Sequence, residues 1–322
     1  MIGNLLSASK AYAEFYKDAR DQKLSHAYII IGDDALARNE YRRLMASTVL
    51  CRHLGCGECD TCNKIYNDAH LGVELYNADG KMNVKDAEKL IEEAQKSSWE
   101  GGRKLYFIDN AEKLSPQVQN KLLKIFEEPP KDLMIVMLAA NANPLLQTIK
   151  SRAKINYLPR FTAEELYNEL INEGYPRATA ETASMLASGS YDKALKFAQD
   201  EGYNEQYAEC FNVLMGCKNS TMVADYIYNP IFSKEKIALS LEFIEIILRD
   251  VAVKVSGANT PYYTRNRDYD IGVIAEGFTP ASVAMAILEV ATAEQMLTAY
   301  VKAETVAERV LFKILEAKYK WQ

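Results

Sequence analysis

Short apolar runs alternate with helical patterns over the first half of the chain. The runs are Ala27–Ile31, Gly72–Tyr76, Lys104–Asp109, Leu133–Ala139 and Ile155–Leu158. Continuous apolar stretches of this length, bounded by turn residues, predict strands covered on both faces. Between them, apolar positions spaced by three and four predict helices near Leu36–Leu50, Val84–Lys96, Gln117–Phe126 and Leu145–Ile149. Ser115-Pro116 supplies an N-cap followed by proline at the first helical position, and Pro129-Pro130 stops that helix. Strand and helix in alternation imply a parallel sheet with helices on both faces.

After Phe161 the pattern changes. "TAEELYNELINEGY", "RATAETASMLASGS" and "YDKALKFAQDEGY" predict short helices broken at glycine or proline. Long helical patterns follow, including Leu239–Val255 and Ala281–Lys318, with a polar loop over 256–272 between them. The chain therefore divides into an α/β domain (1–160), a small helical domain (161–205) and an all-helical domain (206–322). No repeat and no low-complexity segment interrupts this order.

Composition narrows the classes. The 322 residues are 48% apolar and 25% charged, with a net charge of −6. That is enough chain for two or three domains, without the overall basic footprint of an autonomous nucleic-acid binder. No apolar run approaches the roughly 20 residues that span a bilayer. The N-terminal stretch is polar and mixed, unlike a signal peptide. A cytoplasmic protein with no membrane contact is expected.

The cysteines change the picture most. Cys51, Cys56, Cys59 and Cys62 fall within "CRHLGCGECDTC", where Gly55 and Gly57 allow tight turns. Four thiolates so close can close a tetrahedral shell with no open position for water, which suits structural zinc. The C-x4-C-x2-C start also matches an iron–sulfur ligand run, but there the fourth cysteine lies elsewhere, so zinc is favoured. His53 and His70 could substitute as ligands but read first as surface residues. Cys210 and Cys217, in a helical segment, read as small core residues.

"IIIGDDALARNEY" (29–41) has the setting of a phosphate-binding loop: a buried strand, a glycine, then a helix. The G-x-x-x-x-G-K-[ST] frame placed on Gly32 puts Ala37, Arg38 and Asn39 where glycine, lysine and a hydroxyl are needed. Ala37 blocks close approach, Arg38 is no substitute for a compact ammonium, and Asn39 lacks the hydroxyl for Mg²⁺. Asp33 and Asp34 add negative charge where phosphates would sit. ATP hydrolysis is not expected. "KLYFIDNAEKL" ends its apolar run in Asp109, a Walker B-like position, but Asn110 follows where a glutamate would polarise water. On its own this motif reads as a strand ending in a capping aspartate. "NPLLQTIKSRAKINYL" places Ser151-Arg152 at a helix end before the last strand. On its own, that arginine reads as a surface ion pair.

These motifs in this order resemble the delta-prime subunits of bacterial DNA polymerase III clamp loaders. The likeness rests on "LSHAYIIIG" (24–32), the four-cysteine module, "IDNAEKLSPQVQNKLLKIFEEPP" (108–130) and "NPLLQTIKSRA" (143–153), and so covers about residues 20–160. The motor subunits of these complexes share the later strings but keep an intact phosphate loop, so the altered loop selects delta-prime. The resemblance implies an α/β AAA+ domain with a RecA-like parallel sheet and an inserted zinc knuckle (51–62), then a helical lid and an all-α collar. It implies a non-hydrolysing stator in a hetero-pentamer with motor (gamma/tau) and delta subunits, loading a sliding clamp on primed DNA. Arg152, oriented by Ser151, would be an arginine finger acting in trans on a motor subunit's ATP.

Several positions depart from the family pattern. Ala153 replaces the usual cysteine, "AHLG" (69–72) replaces His-Pro-Asp, the first two cysteines stand closer together, and Lys193 stands where active members often have a sensor arginine. Two other readings remain: an AAA+ ATPase that holds nucleotide through Arg38 and Asp109, and a zinc-dependent DNA-binding adaptor. Glu58 and Asp60 between the cysteines weigh against the second.

Overall fold

A computed structural model describes residues 2–95, 103–260, 262–264 and 267–320. The expected helix end at Lys96 and positions 261, 265 and 266 of the expected polar loop lie outside these. The chain forms two compact units: Met1–Glu173 with Gly189–Asp192, and Gly174–Ser188 with Lys193–Gln322.

The first unit is built on a five-stranded sheet in the order β2-β3-β4-β1-β5, with every neighbouring pair parallel. The strands are β1 (Ala27–Ile31), β2 (Val73–Tyr76), β3 (Lys104–Ile108), β4 (Leu133–Ala139) and β5 (Lys154–Tyr157). All are within a residue or so of the apolar runs. β1 and β4 are buried at every position, as strands sandwiched between helical layers must be. On one face Ile29, Ile31, Ile135 and Met137 pack with Leu90, Leu122 and Phe126 from the helices Val84–Gln95 and Pro116–Glu127. On the other, Phe15 meets Tyr28 edge-on at 5.3 Å, and the Arg42 guanidinium stacks over Phe107 at 5.8 Å.

Two N-terminal helices, Ile2–Ser7 and Lys10–Arg20, lie in a stretch read only as polar and mixed. Few of their residues are buried. Leu6 and Phe15 are fully so, and the Tyr12 hydroxyl bonds Thr48 Oγ1 at 2.8 Å. The helix Pro116–Glu127 begins as expected: Ser115 Oγ accepts from Val118 N at 3.4 Å and Pro116 follows it.

The second unit is helical, with Glu201–Gly216, Ser220–Tyr226, Ile237–Ser256, Asp268–Ala275, Pro280–Thr298 and Ala303–Lys320 as its main elements. Phe197, Tyr203, Tyr207, Phe211 and Phe243 form a cluster of tilted and edge-on rings. The expected helix over Ala281–Lys318 is two helices. The first ends at Thr298 and is capped by Ala299; Tyr300 then turns left-handed (φ 60°) and Val301 N returns to Met296 O at 3.1 Å. That is the backbone of a helix stop usually made by glycine, so a tyrosine there gave no sign of it. Among the described residues no single helix is long and apolar enough to cross a membrane.

Of the polar loop expected over 256–272, residues 268–272 lie instead in the helix Asp268–Ala275, and Tyr263 and Thr264 are fastened to the preceding helix. Asp250 is fully buried, and its two carboxylate oxygens accept Tyr263 N at 3.0 Å and Thr264 N at 2.7 Å. Arg249 stacks on the Tyr263 ring at 3.5 Å. Asp250→Ala should cost about 2–4 kcal/mol, because two backbone donors lose a charged acceptor. Urea denaturation reads this directly, and a change below about 0.5 kcal/mol would show that the loop does not depend on the carboxylate.

Candidate functional site

The loop after β1 is occupied by the chain's own side chains. Asp34 caps the helix Ala35–Leu50, with Oδ1 accepting Ala37 N at 2.9 Å. Its other oxygen accepts Ser190 Oγ at 3.1 Å, Tyr191 N at 2.5 Å and Asp192 N at 3.1 Å. Asp34 is only 6% exposed. Asp33 points outward and pairs with Arg160 at 2.5 Å. The two aspartates expected to repel phosphate are thus themselves partnered.

Arg38, 4% exposed, folds back into the loop. Its Nη1 donates to Gly32 O at 2.6 Å, and its Nε lies 3.8 Å from Asp109 Oδ1, although β4 separates the two strands. Gly32 is closed in from the other side: a Cβ there would meet Leu158 Cβ at 3.0 Å. Ala37 is buried, and Asn39 Oδ1 accepts Arg42 Nε at 3.0 Å.

Asn110 adopts a left-handed conformation (φ 46°), which asparagine tolerates better than most residues. Its Nδ2 reaches across to Ala78 O at 3.0 Å, while Asn77 Nδ2 returns to Asp109 O at 2.7 Å. The position therefore ties the ends of β2 and β3 together. Glu112 accepts Ala140 N at 3.1 Å. A groove of about 320 Å³ opens near the end of β2, lined by residues such as Leu75, Asn77, Lys81 and Met82; none of the predicted site residues lines it.

The four cysteines come together. Their sulfur atoms all lie within 4.8 Å of one another, with Cys51 Sγ 3.7 Å from Cys56 Sγ and 3.6 Å from Cys59 Sγ. A tetrahedron with metal–sulfur bonds of about 2.3 Å has edges of about 3.8 Å. Left-handed turns at Gly55 and Gly57 bend the chain around the cluster, and Cys59 caps the helix Asp60–Tyr66. Burial raises the Cys51 thiol, but backbone N–H groups of Cys56, His53 and Gly55 outweigh it and bring the thiol to about 6. Burial pushes Cys62 up to about 12. The four cysteines are close enough to bind one metal ion. His53 is exposed, and His70 Nδ1 accepts Gly72 N at 3.1 Å. Cys210 and Cys217 are buried in the second unit.

Arg152 sits at the surface just before β5. Its Nη2 pairs with Glu127 at 2.8 Å, and its Nη1 donates to Thr148 O at 2.9 Å and to Ser151 Oγ at 3.4 Å. The side chain is 38% exposed. Ala153 packs against the sheet core. A residue not singled out in the sequence holds this corner. Buried Gln119 donates to Leu114 O at 3.0 Å and Pro144 O at 3.1 Å, and accepts Leu146 N at 2.8 Å. Lys193, at the suspected sensor position, pairs with Glu242 within the second unit.

A parallel sheet of this order, with the loop after β1 facing a carboxylate after β3, is the fold expected of an AAA+ domain. Comparison with known proteins narrows the class. The family described as "DNA polymerase III, delta subunit" matches residues 7–162. The chain is 26% identical over 313 residues to the DNA polymerase III subunit delta' of Bacillus subtilis, covering 94% of each. It is 28% identical over 184 residues to the DNA polymerase III subunit tau of Escherichia coli, spanning 54% of this chain but only 28% of that one. Among solved structures, a DNA polymerase III gamma subunit-related protein from Thermotoga maritima superposes with a TM-score of 0.51 over 94% of this chain and 99% of that one; at 14% identity this shows the fold alone. The chain is thus similar to DNA polymerase III delta' over nearly its whole length, and to the family model over residues 7–162.

Ion pairs anchor the chain just after the cysteine module to the helix Ala35–Leu50. Asp68 accepts from Arg42, which is buried, at 2.6 Å and from Arg43 at 2.8 Å. Burial opposes ionisation of Asp68, but hydrogen bonds and charge from the two arginines hold its carboxyl below the ordinary value. A depressed folded pKa adds stability above the unfolded value of about 4 and loses it as pH falls through the folded value. Asp68→Asn should therefore be less stable than wild type at pH 7, with the gap narrowing toward pH 3. Urea midpoints at the two pH values check this; a gap that stays constant would contradict it.

Proposed function

We propose that this protein is a non-hydrolysing stator of the DNA polymerase III clamp loader. It would join motor (gamma/tau) and delta subunits in a hetero-pentamer, in the cytoplasm, and help place a sliding clamp on primed DNA. The observation that carries this reading is the loop after β1: a buried carboxylate and a buried guanidinium fill it from within, and Asn110 braces two strands where a catalytic acid would act. We read residues 161–205 as the lid and 206–322 as the collar that joins the ring. With an acidic balance of −6, DNA contact would be secondary and to the backbone.

Arg152 would act on a neighbour's nucleotide. At an exposed surface its ion pair with Glu127 is worth roughly 0–1 kcal/mol, so the guanidinium can be transferred to a phosphate at small cost. In the motor's site it would stabilise charge developing on the transferred phosphoryl group, with Ser151 helping to orient it. The sulfur spacing supports structural zinc on Cys51, Cys56, Cys59 and Cys62, where the metal would replace thiol protons and brace residues 51–62. The rival reading, a degenerate but nucleotide-holding ATPase, draws on Arg38 and Asp109, which here engage Gly32 and each other.

Reconstituted motor and delta subunits, with clamp and primed DNA, should show ATP turnover stimulated by this protein. Arg152→Ala should assemble normally and lose at least about tenfold of that stimulation. Equal stimulation by both proteins would reduce Arg152 to a surface arginine. Metal analysis of the purified chain should find one zinc ion, released when thiols are blocked; iron, or no metal after gentle purification, would overturn the zinc reading.

A further inference from the structure

Asp34 is placed to do more than fill the loop after β1. Its carboxylate lies at the start of two helices at once. Oδ1 caps Ala35–Leu50 through Ala37 N, and Oδ2 receives Tyr191 N and Asp192 N, the first two amides of the helix Tyr191–Gln199. The first amides of a helix have no partner within it. Ser190, at the cap position of the second helix, turns its hydroxyl onto Asp34 at 3.1 Å. An anion held by amides at a helix start makes the kind of contact a bound phosphate makes in phosphate-binding loops.

We propose that Asp34 is a built-in anion, a latch that fastens residues 190–192 to the loop after β1 and makes this contact permanent and independent of nucleotide. The proposal rests on the reading that the site takes no ATP, and adds what replaces it. Two neighbouring contacts seat the segment for the latch: Phe161 N donates to Gly189 O at 3.0 Å, and Gly189 has φ +84°, where a Cβ would press on Phe161 O at 2.8 Å. The neighbouring acid, Asp33, is neutralised separately by Arg160 and plays no part in the latch.

Amide exchange of the full chain at residues 190–192 tests the latch. In wild type without nucleotide, the Tyr191 and Asp192 amides should exchange at least about tenfold slower than in a free peptide, and Mg-ATP should leave them unchanged. Free-peptide rates in wild type would overturn the proposal with no variant needed, as would a clear slowing by Mg-ATP. Asp34→Asn should speed both amides about tenfold or more, with Ser190→Ala giving a smaller change in the same direction. Unchanged amides in Asp34→Asn would sink the latch while leaving the inactive-site reading intact. A wild type that takes up Mg-ATP, yet keeps slow amides that Asp34→Asn loses, would sink the inactive-site reading and leave the latch standing.

Discussion

A buried carboxylate must be hydrogen-bonded or it is too costly to keep charged. Asp34 meets that demand with one hydroxyl and three backbone amides, drawn from positions as far apart as 37 and 192. This single constraint sets the rest of the loop. With a fixed negative charge at the helix start, Arg38 turns back to Gly32 and Asp109 in place of a phosphate. Gly32 is then packed against Leu158. The loop follows a buried strand and opens a helix, and its own side chains fill the space.

The same economy shows elsewhere in the sheet unit. Asn110 sits where chemistry would need an acid and instead closes the end of the sheet against Asn77 and Ala78. Gln119 and Glu127, on one face of a single helix, hold the segment that ends in Arg152. The two strings most typical of clamp-loader subunits are therefore physically joined: one positions the other.

Much of this was legible in the sequence, for identifiable reasons. The strands showed because a sheet covered on both faces needs continuous apolar runs, and those runs need no partner to be recognised. The cysteine cluster showed because all of its ligands are local. The departures from a phosphate-loop frame were legible because each stands at a fixed offset from Gly32. Hidden were features whose partners are remote or whose residue type is unusual. Asp34 looked like a repelling charge because its other partners lie more than 150 positions on. Gln119 looked like an ordinary helix residue, and Tyr300 gave no sign of a helix end because glycine is the residue expected there. The N-terminal helices were masked because only a few of their residues are buried.

The account turns on a nucleotide site filled from within, so the most direct measurement is a calorimetric titration of the intact protein with Mg-ATP, run beside a motor subunit of the same complex. The account predicts saturable binding by the motor and no detectable heat of binding by this chain up to millimolar nucleotide. Saturable one-to-one binding by this chain, lost on Arg38→Ala, would contradict it and restore the loop as a working site.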